Sequence, residues 1–436
     1  MKSVWHENIE KPSFPSLKGD VKTDILIIGG GLTGLLTAHL MEKAGVDYML
    51  IEADEICSGI TKNTTAKITV QHGLICDKII RKYGVAAARQ YYNANNEALY
   101  KYRELCKVLD CKFEEKDAIV YSLNNERKIR DEINAYKTLG VDVSFQKSVP
   151  LPFGIVGAVK IKGQGQINPL EFLYKISEKL NIYENTKLVN FMGNLAETNN
   201  GTIHFKKAII ATHFPIFNKR GSYFLKMHQH RSYVIALENA QSLEGMYVDE
   251  DLKGLSFRSY NNLLLIGGGS HRTGKKGGQW KELTEFAKIH YNNAKEKYRW
   301  ATQDCMSLDG IPYIGNYSKH TPDLYVATGY NKWGFTSSLA AAQILYDTIM
   351  GNKNENAEVF SPSRSIISSE LLVNGFEAVT NLLTPTAPRC PHLGCALKYN
   401  KAEHSWDCPC HGSRFTKDGE LIDNPATDDI KSNPTK

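Results

Sequence analysis

No stretch of this 436-residue chain approaches the roughly 18 consecutive apolar residues that a membrane-spanning helix requires. Its start, Met1-Lys2-Ser3-Val4-Trp5-His6-Glu7-Asn8, lacks the apolar core of a secretory signal. The expected setting is therefore cytoplasmic, without an integral membrane segment. Long runs of one charge are absent as well. The 53 Lys and Arg stand against 47 Asp and Glu, a dispersed net charge of +6, which argues against nucleic acid as a partner. There is no internal repeat and no low-complexity tract. Cysteine is sparse outside one short segment: Cys57, Cys76, Cys106, Cys111 and Cys305 are scattered as reduced thiols are, and a pure disulfide framework does not suit a chain of this size. What remains is an ordinary globular composition, 42% hydrophobic and 10% aromatic, with room for two or three domains.

The other four cysteines share the tail. Arg389-Cys390-Pro391-His392-Leu393-Gly394-Cys395 is followed by Cys408-Pro409-Cys410-His411-Gly412-Ser413, with fifteen residues between His392 and Cys408. The two pairs, Cys-x-His and Cys-x-x-His, supply two thiolates and two imidazoles. That set suits a [2Fe–2S] centre in which two Cys hold one iron and two His hold the other. A Cys₂His₂ zinc site uses the same ligand types, although Cys-x-His is an unusual zinc knuckle. A c-type haem is excluded, because Cys408-Pro409-Cys410-His411 is one residue short of Cys-x-x-Cys-His.

The pattern resembles the Rieske family. The resemblance implies Cys390, His392, Cys408 and His411 as cluster ligands, and Cys395 with Cys410 as a disulfide tying the ligand loops together. Gly394 and Gly412 would let the loops approach and aim backbone N–H groups at the cluster sulfurs, and Ser413 would add a hydroxyl donor. Each such donor stabilises the reduced cluster and raises its potential. Phe415 stands where high-potential members of the family carry a tyrosine, which implies a lower potential here. Little chain precedes Cys390 to build a supporting β-sandwich, so the cluster lobe is expected to dock on its neighbour.

Near the N-terminus, Asp24-Ile25-Leu26-Ile27-Ile28 runs into a G-x-G-x-x-G turn at Gly29, Gly31 and Gly34. An amphipathic stretch, Leu35 to Lys43, ends at Gly45, and a second apolar strand, Tyr48 to Ile51, finishes with Glu52. This is a βαβ unit with its acidic residue at the distance that ribose hydroxyls require. The glycines bring the backbone to a pyrophosphate at the positive end of the helix. The unit does not by itself separate NAD from FAD.

A second signature does. Leu308-Asp309-Gly310-Ile311-Pro312-Tyr313-Ile314-Gly315 is followed by Leu324-Tyr325-Val326-Ala327-Thr328-Gly329-Tyr330-Asn331-Lys332-Trp333-Gly334-Phe335-Thr336. Here the chain resembles the FAD-dependent D-amino acid oxidase/glycine oxidase/sarcosine oxidase superfamily. The resemblance implies a helix from Ser337 to Met350 that points at the flavin, whose dipole would favour the reduced anion. It also implies FAD contacts from Ser58, Thr64, Thr65, Ala211, Gly329, Trp333, Gly334, Phe335 and Thr336, beside Gly29, Gly31, Gly34 and Glu52. An oxidase-like FAD domain followed by a Rieske segment resembles a bacterial family of Rieske-containing flavoproteins.

The expected fold class is α/β: a Rossmann-like FAD-binding domain with an interleaved α+β substrate domain, plus a small all-β C-terminal Rieske domain. The FAD-dependent domain spans 1–350, with cofactor-binding parts at about 21–76, 151–219 and 301–350 and substrate-domain parts at about 77–150 and 220–300. A polar linker is expected at 351–365 and the Rieske domain at 366–436, with its cluster core at 388–425. Leu263-Leu264-Leu265-Ile266-Gly267-Gly268-Gly269-Ser270-His271 lacks the glycine spacing of a nucleotide turn and reads as a substrate-domain strand.

Candidate substrate contacts are Arg231, Tyr233, Arg258 and His271, each of which reads equally as a packing residue. Gln303-Asp304-Cys305 falls where relatives often place a carboxylate-binding arginine, and an acid there suits a cationic amine. His72 lies nearest the flavin-wrapping segment and reads as well as a structural histidine. The expected reaction is oxidation of a small amine or N-substituted amino acid by hydride transfer to FAD. Electrons would then leave singly through the [2Fe–2S] cluster to an external acceptor, a protein or a quinone. A dehydrogenase fits this better than an oxidase. A reductase fed by NAD(P)H or a ferredoxin, and a non-catalytic redox sensor, are the other classes the residues allow.

Overall fold

The computed structural model describes residues 3–7, 9–217, 220–365, 369–385 and 388–430. The run Ile25-Leu26-Ile27-Ile28 is apolar on both faces and buried throughout, which suits a central parallel strand covered on both sides. Strand Val21–Ile28 lies between Gly201–Ile210 and Tyr48–Ile51, parallel to both. The sheet extends through Leu324–Thr328 and the antiparallel Tyr313–Asn316 on one side and Ile182–Tyr183 on the other. Helices Leu32–Lys43 and Gly334–Met350 pack together, with Ala340, Ala341 and Ala342 buried at the close approach. The carboxyl ends of four parallel strands, at Ile28, Ile51, Ile210 and Thr328, open on one crevice, where open α/β sheets bind their ligands.

A second, nine-stranded sheet runs in the order Lys295–Ser307, Met227–Glu238, Leu263–Arg272, Ser256–Tyr260, Met246–Asp249, Glu114–Ser122, Gly157–Gln166 and Lys67–Ile68, with Ser144–Gln146 beside Gly157–Gln166. The glycine-rich stretch at 263–272 is one of its buried strands. Three boundaries differ from the sequence reading. Lys67–Ile68 and Gly157–Gln166 were expected with the cofactor part, as was most of Lys295–Ser307, and all three belong to this second sheet. Alternating burial identifies a strand but not which of two sheets will take it.

Local signals set the helix ends. Asn168 accepts from the N–H groups of Leu170 and Glu171, with Pro169 in the first turn of Pro169–Ser177. Asn125 caps Glu126–Leu139, which ends on the left-handed Gly140. The long helix Ile75–Val108 is broken at Gly84. Its buried start is capped from another helix by Glu132, which accepts from the N–H groups of Cys76 and Asp77. Burial pushes the Glu132 carboxyl up to about 7.

Residues 351–365 are packed rather than free. Val359 and Phe360 are buried, and the Arg364 guanidinium forks onto Asp309 at 2.7 and 2.9 Å while stacking over Tyr313. Three anchoring side chains in a polar stretch override its composition. The C-terminal lobe is a four-stranded antiparallel sheet, Lys398–Asn400, Ser405–Asp407, Arg414–Thr416 and Leu421–Asp423. A helix that the sequence reading did not anticipate, Ser369–Leu383, precedes it. The lobe's buried apolar core amounts to Cys390, Cys395, Leu397, Cys408, Cys410, Phe415 and Ala426. So small a core needs a neighbour, and the lobe docks on the second sheet.

Candidate active site and cluster site

One cavity of about 940 Å³ occupies the crevice. Gly29, Gly31, Glu52, Ser58, Thr64, Thr65, Ala211, Gly329, Trp333, Gly334 and Phe335 all line it. Gly34 and Thr336 stand behind the wall. A Cβ on Gly34 would lie 1.9 Å from the Gly29 carbonyl oxygen, so only glycine allows the first helix to sit against its strand. Gly29 has φ +112° and lies against the backbone of Ala211. Helix Leu32–Lys43 starts at Gly31 without a side-chain cap, and Gly334–Met350 starts at Trp333 likewise. Both helices therefore keep N–H groups for an anion or an electron-rich ring edge. The Glu52 carboxylate accepts from the Gly30 N–H at 2.6 Å, and burial raises its pKa. Uncapped helix starts, a turn that tolerates no Cβ and an acid at the second strand end are the donor set of an FAD adenosine and pyrophosphate site.

His72 has a positioning geometry. Its Nδ1 is 2.6 Å from the Tyr91 hydroxyl, its Nε2 is 2.9 Å from the Thr69 carbonyl, and its ring stacks on Trp333. Burial lowers its pKa to about 3, so the ring is neutral. It fixes Trp333 and Thr336 at the start of the late helix.

The second sheet supplies the opposite wall. His228, His230 and Ser232 alternate along strand Met227–Glu238, and Asp304 lies opposite His230 on the next strand. Lys332 arrives from the loop before the late helix, its Nζ 3.3 Å from the Ser270 hydroxyl. Burial drives His228 to about 3 and His230 to about 2, so both are neutral hydrogen-bonding groups. Burial raises the Asp304 carboxyl to about 6, against the pull of Lys332 and Arg231. Burial also lowers the Lys332 ammonium, which Asp304 partly restores.

Of the four substrate candidates, only Tyr233 lines this cavity. Its hydroxyl donates to Glu403 of the C-terminal lobe at 2.8 Å, and Arg231 pairs with the same carboxylate. His271 stacks on Tyr233, and Arg258 donates to the Thr65 and Ala66 carbonyls beneath the cofactor segment. Three of the four are thus interface or supporting residues. Their role depends on which lobe covers the strand face, and that is a tertiary property. Asp304 was foreseen by spacing. Lys332 stood inside the quoted motif, with no local feature to mark its direction.

In the C-terminal lobe, Cys390, Cys408 and His411 are buried, and the His392 and His411 rings meet edge to face at 5.1 Å. The Cys395–Cys410 disulfide is formed. Among the described residues, His411 Nδ1 is buried without a hydrogen-bond partner, an orphan nitrogen that a metal would satisfy. The Cys390 thiol is lowered to about 7 by Cys408, its backbone neighbours His392 and Leu393, and Ser413. Thiols already surrounded by donors, beside two imidazoles, fit a [2Fe–2S] cluster.

Two cofactor sites of these kinds define a flavin oxidoreductase with an iron–sulfur lobe. The DAO family of FAD dependent oxidoreductases matches residues 24–348, and the Rieske [2Fe-2S] domain family matches 373–434. The Rieske 2Fe-2S iron-sulfur protein YhfW of Bacillus subtilis (strain 168) is 34% identical over 492 aligned positions, covering 98% of this chain and 97% of that protein. Glycine oxidase from Geobacillus kaustophilus shares the fold with a TM-score of 0.68 at 17% identity, over 79% of this chain and 100% of its own. L-proline dehydrogenase from P. horikoshii does so at 0.64 and 18% identity, over 80% and 98%. The chain belongs to the DAO family of FAD-dependent oxidoreductases and carries a C-terminal Rieske domain. It is an enzyme that uses FAD and a [2Fe–2S] cluster.

The docked lobe brings the two sites together. The Arg272 guanidinium lines the cavity and donates to the carbonyls of Pro409 at 3.2 Å and Cys410 at 2.9 Å in the ligand loop. Gln303 donates to the Gly412 carbonyl at 3.0 Å and to Gln229, which in turn donates to the Asn424 carbonyl. Leu421 to Asn424, Ala426 and Thr427 close one side of the cavity. Among the described residues, no helix is long and apolar enough to cross a membrane.

Proposed function

We propose that this enzyme oxidises the C–N bond of a small amine or N-substituted amino acid by hydride transfer to FAD, and that electrons then pass singly through the Rieske cluster to an external protein or quinone. The observation that carries this reading is one cavity that runs from the glycine turn to Arg272, whose guanidinium donates to the Pro409 and Cys410 carbonyls of the cluster loop. Bound flavin supplies a two-electron acceptor able to release electrons one at a time. The chain's own part is to bind and orient the substrate carbon against the ring and to exclude water. His228 and His230 serve as neutral partners for this, and Leu421 to Asn424 as a roof. The docked cluster favours a dehydrogenase over an oxidase. The reading places the reaction in the cytoplasm, where Cys57, Cys76, Cys106, Cys111 and Cys305 stay reduced, none of them disulfide-bonded.

An anaerobic screen of amines and N-substituted amino acids for bleaching of the flavin band tests the reaction class. A positive substrate should next generate the reduced-cluster EPR signal. Oxygen consumption at full rate by a Cys408→Ser variant would refute the electron path.

A further inference from the structure

Two opposite charges face the cavity without meeting. Asp304 projects from strand Lys295–Ser307 opposite His230. Among the described residues its carboxylate makes neither a hydrogen bond nor an ion pair. Lys332 reaches only the Ser270 hydroxyl and forms no ion pair among the same residues. The two attract each other electrostatically across the space between them. The neighbouring histidines, neutral through burial, balance neither charge.

A desolvated charge without a close partner is costly to maintain. Two buried cations elsewhere show the usual remedy: Arg364 is paired with Asp309, and Arg414 with Glu403, Asp407 and Asp423. Nor does the nucleotide supply the missing partners. Its phosphates belong at the turn from Gly29 to Gly34 on the first sheet, whereas Asp304 stands on the second sheet and Lys332 reaches from the loop before the late helix to Ser270 of that sheet. What completes that wall is a second ligand carrying both signs.

We propose that Asp304 and Lys332 are the specificity-determining pair of the substrate site and select a zwitterion, Asp304 holding the cationic nitrogen and Lys332 the carboxylate. The assignment rests on the amine-oxidation reading above and narrows it, choosing the N-substituted amino acid over the simple amine. A site with the acid alone would prefer a plain cation, and one with the lysine alone a plain anion.

The test uses full-length, flavin-containing protein and calorimetric titration with three probes that have no N–H to lose: N,N,N-trimethylglycine with both charges, tetramethylammonium with one, and acetate with the other. Trimethylglycine should bind at least tenfold more tightly than either single-charge probe. Asp304→Asn should weaken trimethylglycine and tetramethylammonium by tenfold or more while sparing acetate. Lys332→Met should weaken trimethylglycine and acetate while sparing tetramethylammonium. Asp304→Glu and Lys332→Arg should keep the zwitterion preference, which separates charge from folding. Equal affinity for the three probes, no binding of trimethylglycine, or trimethylglycine binding unchanged in both charge-removing variants would each overturn the proposal. Flavin content reports separately on the underlying reading. Protein that cannot take up flavin contradicts that reading, whereas flavin-loaded protein blind to probe charge contradicts only this inference.

Discussion

The two faces of strand Met227–Glu238 meet different chemistry. His228, His230 and Ser232 look into the flavin cavity, while Gln229 and Arg231 meet the cluster lobe through Gly412, Asn424 and Glu403. The cavity face leaves hydrogen-bonding capacity open, at His228 Nδ1 and His230 Nδ1 among the described residues. The lobe face uses nearly all of it: Glu403 accepts from Arg231, Tyr233 and Arg414, and Arg414 also holds Asp407 and Asp423. Period-two alternation lets one strand serve both, and the contrast separates a surface built to receive a ligand from one built to hold a neighbour.

The largest break should come at the cluster. Cys408→Ser or Cys390→Ser should abolish bound iron and acid-labile sulfide while flavin stays near one per chain, as read by metal and sulfide assays against flavin absorbance. Loss of flavin in the same variants would mean that the two faces are not independent. Gly34→Ala should do the reverse. Its Cβ collides with the Gly29 carbonyl, so flavin content should fall at least tenfold while iron and sulfide persist.

Arg231→Met tests the lobe face itself. Removing one partner of a buried pair typically costs about 3–5 kcal/mol, because the remaining charge is uncompensated. Arg414 and Tyr233 still hold Glu403, so the lower end is expected, measured as a shift of the urea midpoint of the cluster lobe. Acid should reach the same contact more gradually. The Glu403 carboxyl is held at about 2, against 4.5 ordinarily, chiefly by Arg231 and Arg414 against the cost of burial. Its folded value is depressed, so its contribution is complete above pH 4.5 and is lost as pH falls toward 2. Glu403→Gln should flatten that part of the stability profile. The smallest change expected is Phe415→Tyr, which should raise the cluster potential in a redox titration and leave flavin content and docking alone.

How much of this was legible in the sequence follows from the range of each signal. The glycine turn and the Cys/His pairs are fixed by local geometry, so spacing alone marked them. Asp304 was reachable by its distance from Asp309-Gly310. Arg231 and Tyr233 were noticed as chemistry-bearing residues, but alternation says only that neighbours face opposite ways, not which face the cluster lobe will cover. The seam from Arg272 to Pro409 and Cys410 joins residues more than a hundred positions apart and has no sequence signature.

The segment from Gly351 to Arg364 has a kinetic consequence. Phe360 and Arg364 pin it to the flavin domain, so the cluster lobe is tethered short and already seated. On the proposed electron path, transfer between the two redox centres then needs no diffusive excursion of one lobe toward the other. Its rate should be indifferent to glycerol or sucrose, and any slowing by viscosity should arise where an external acceptor arrives.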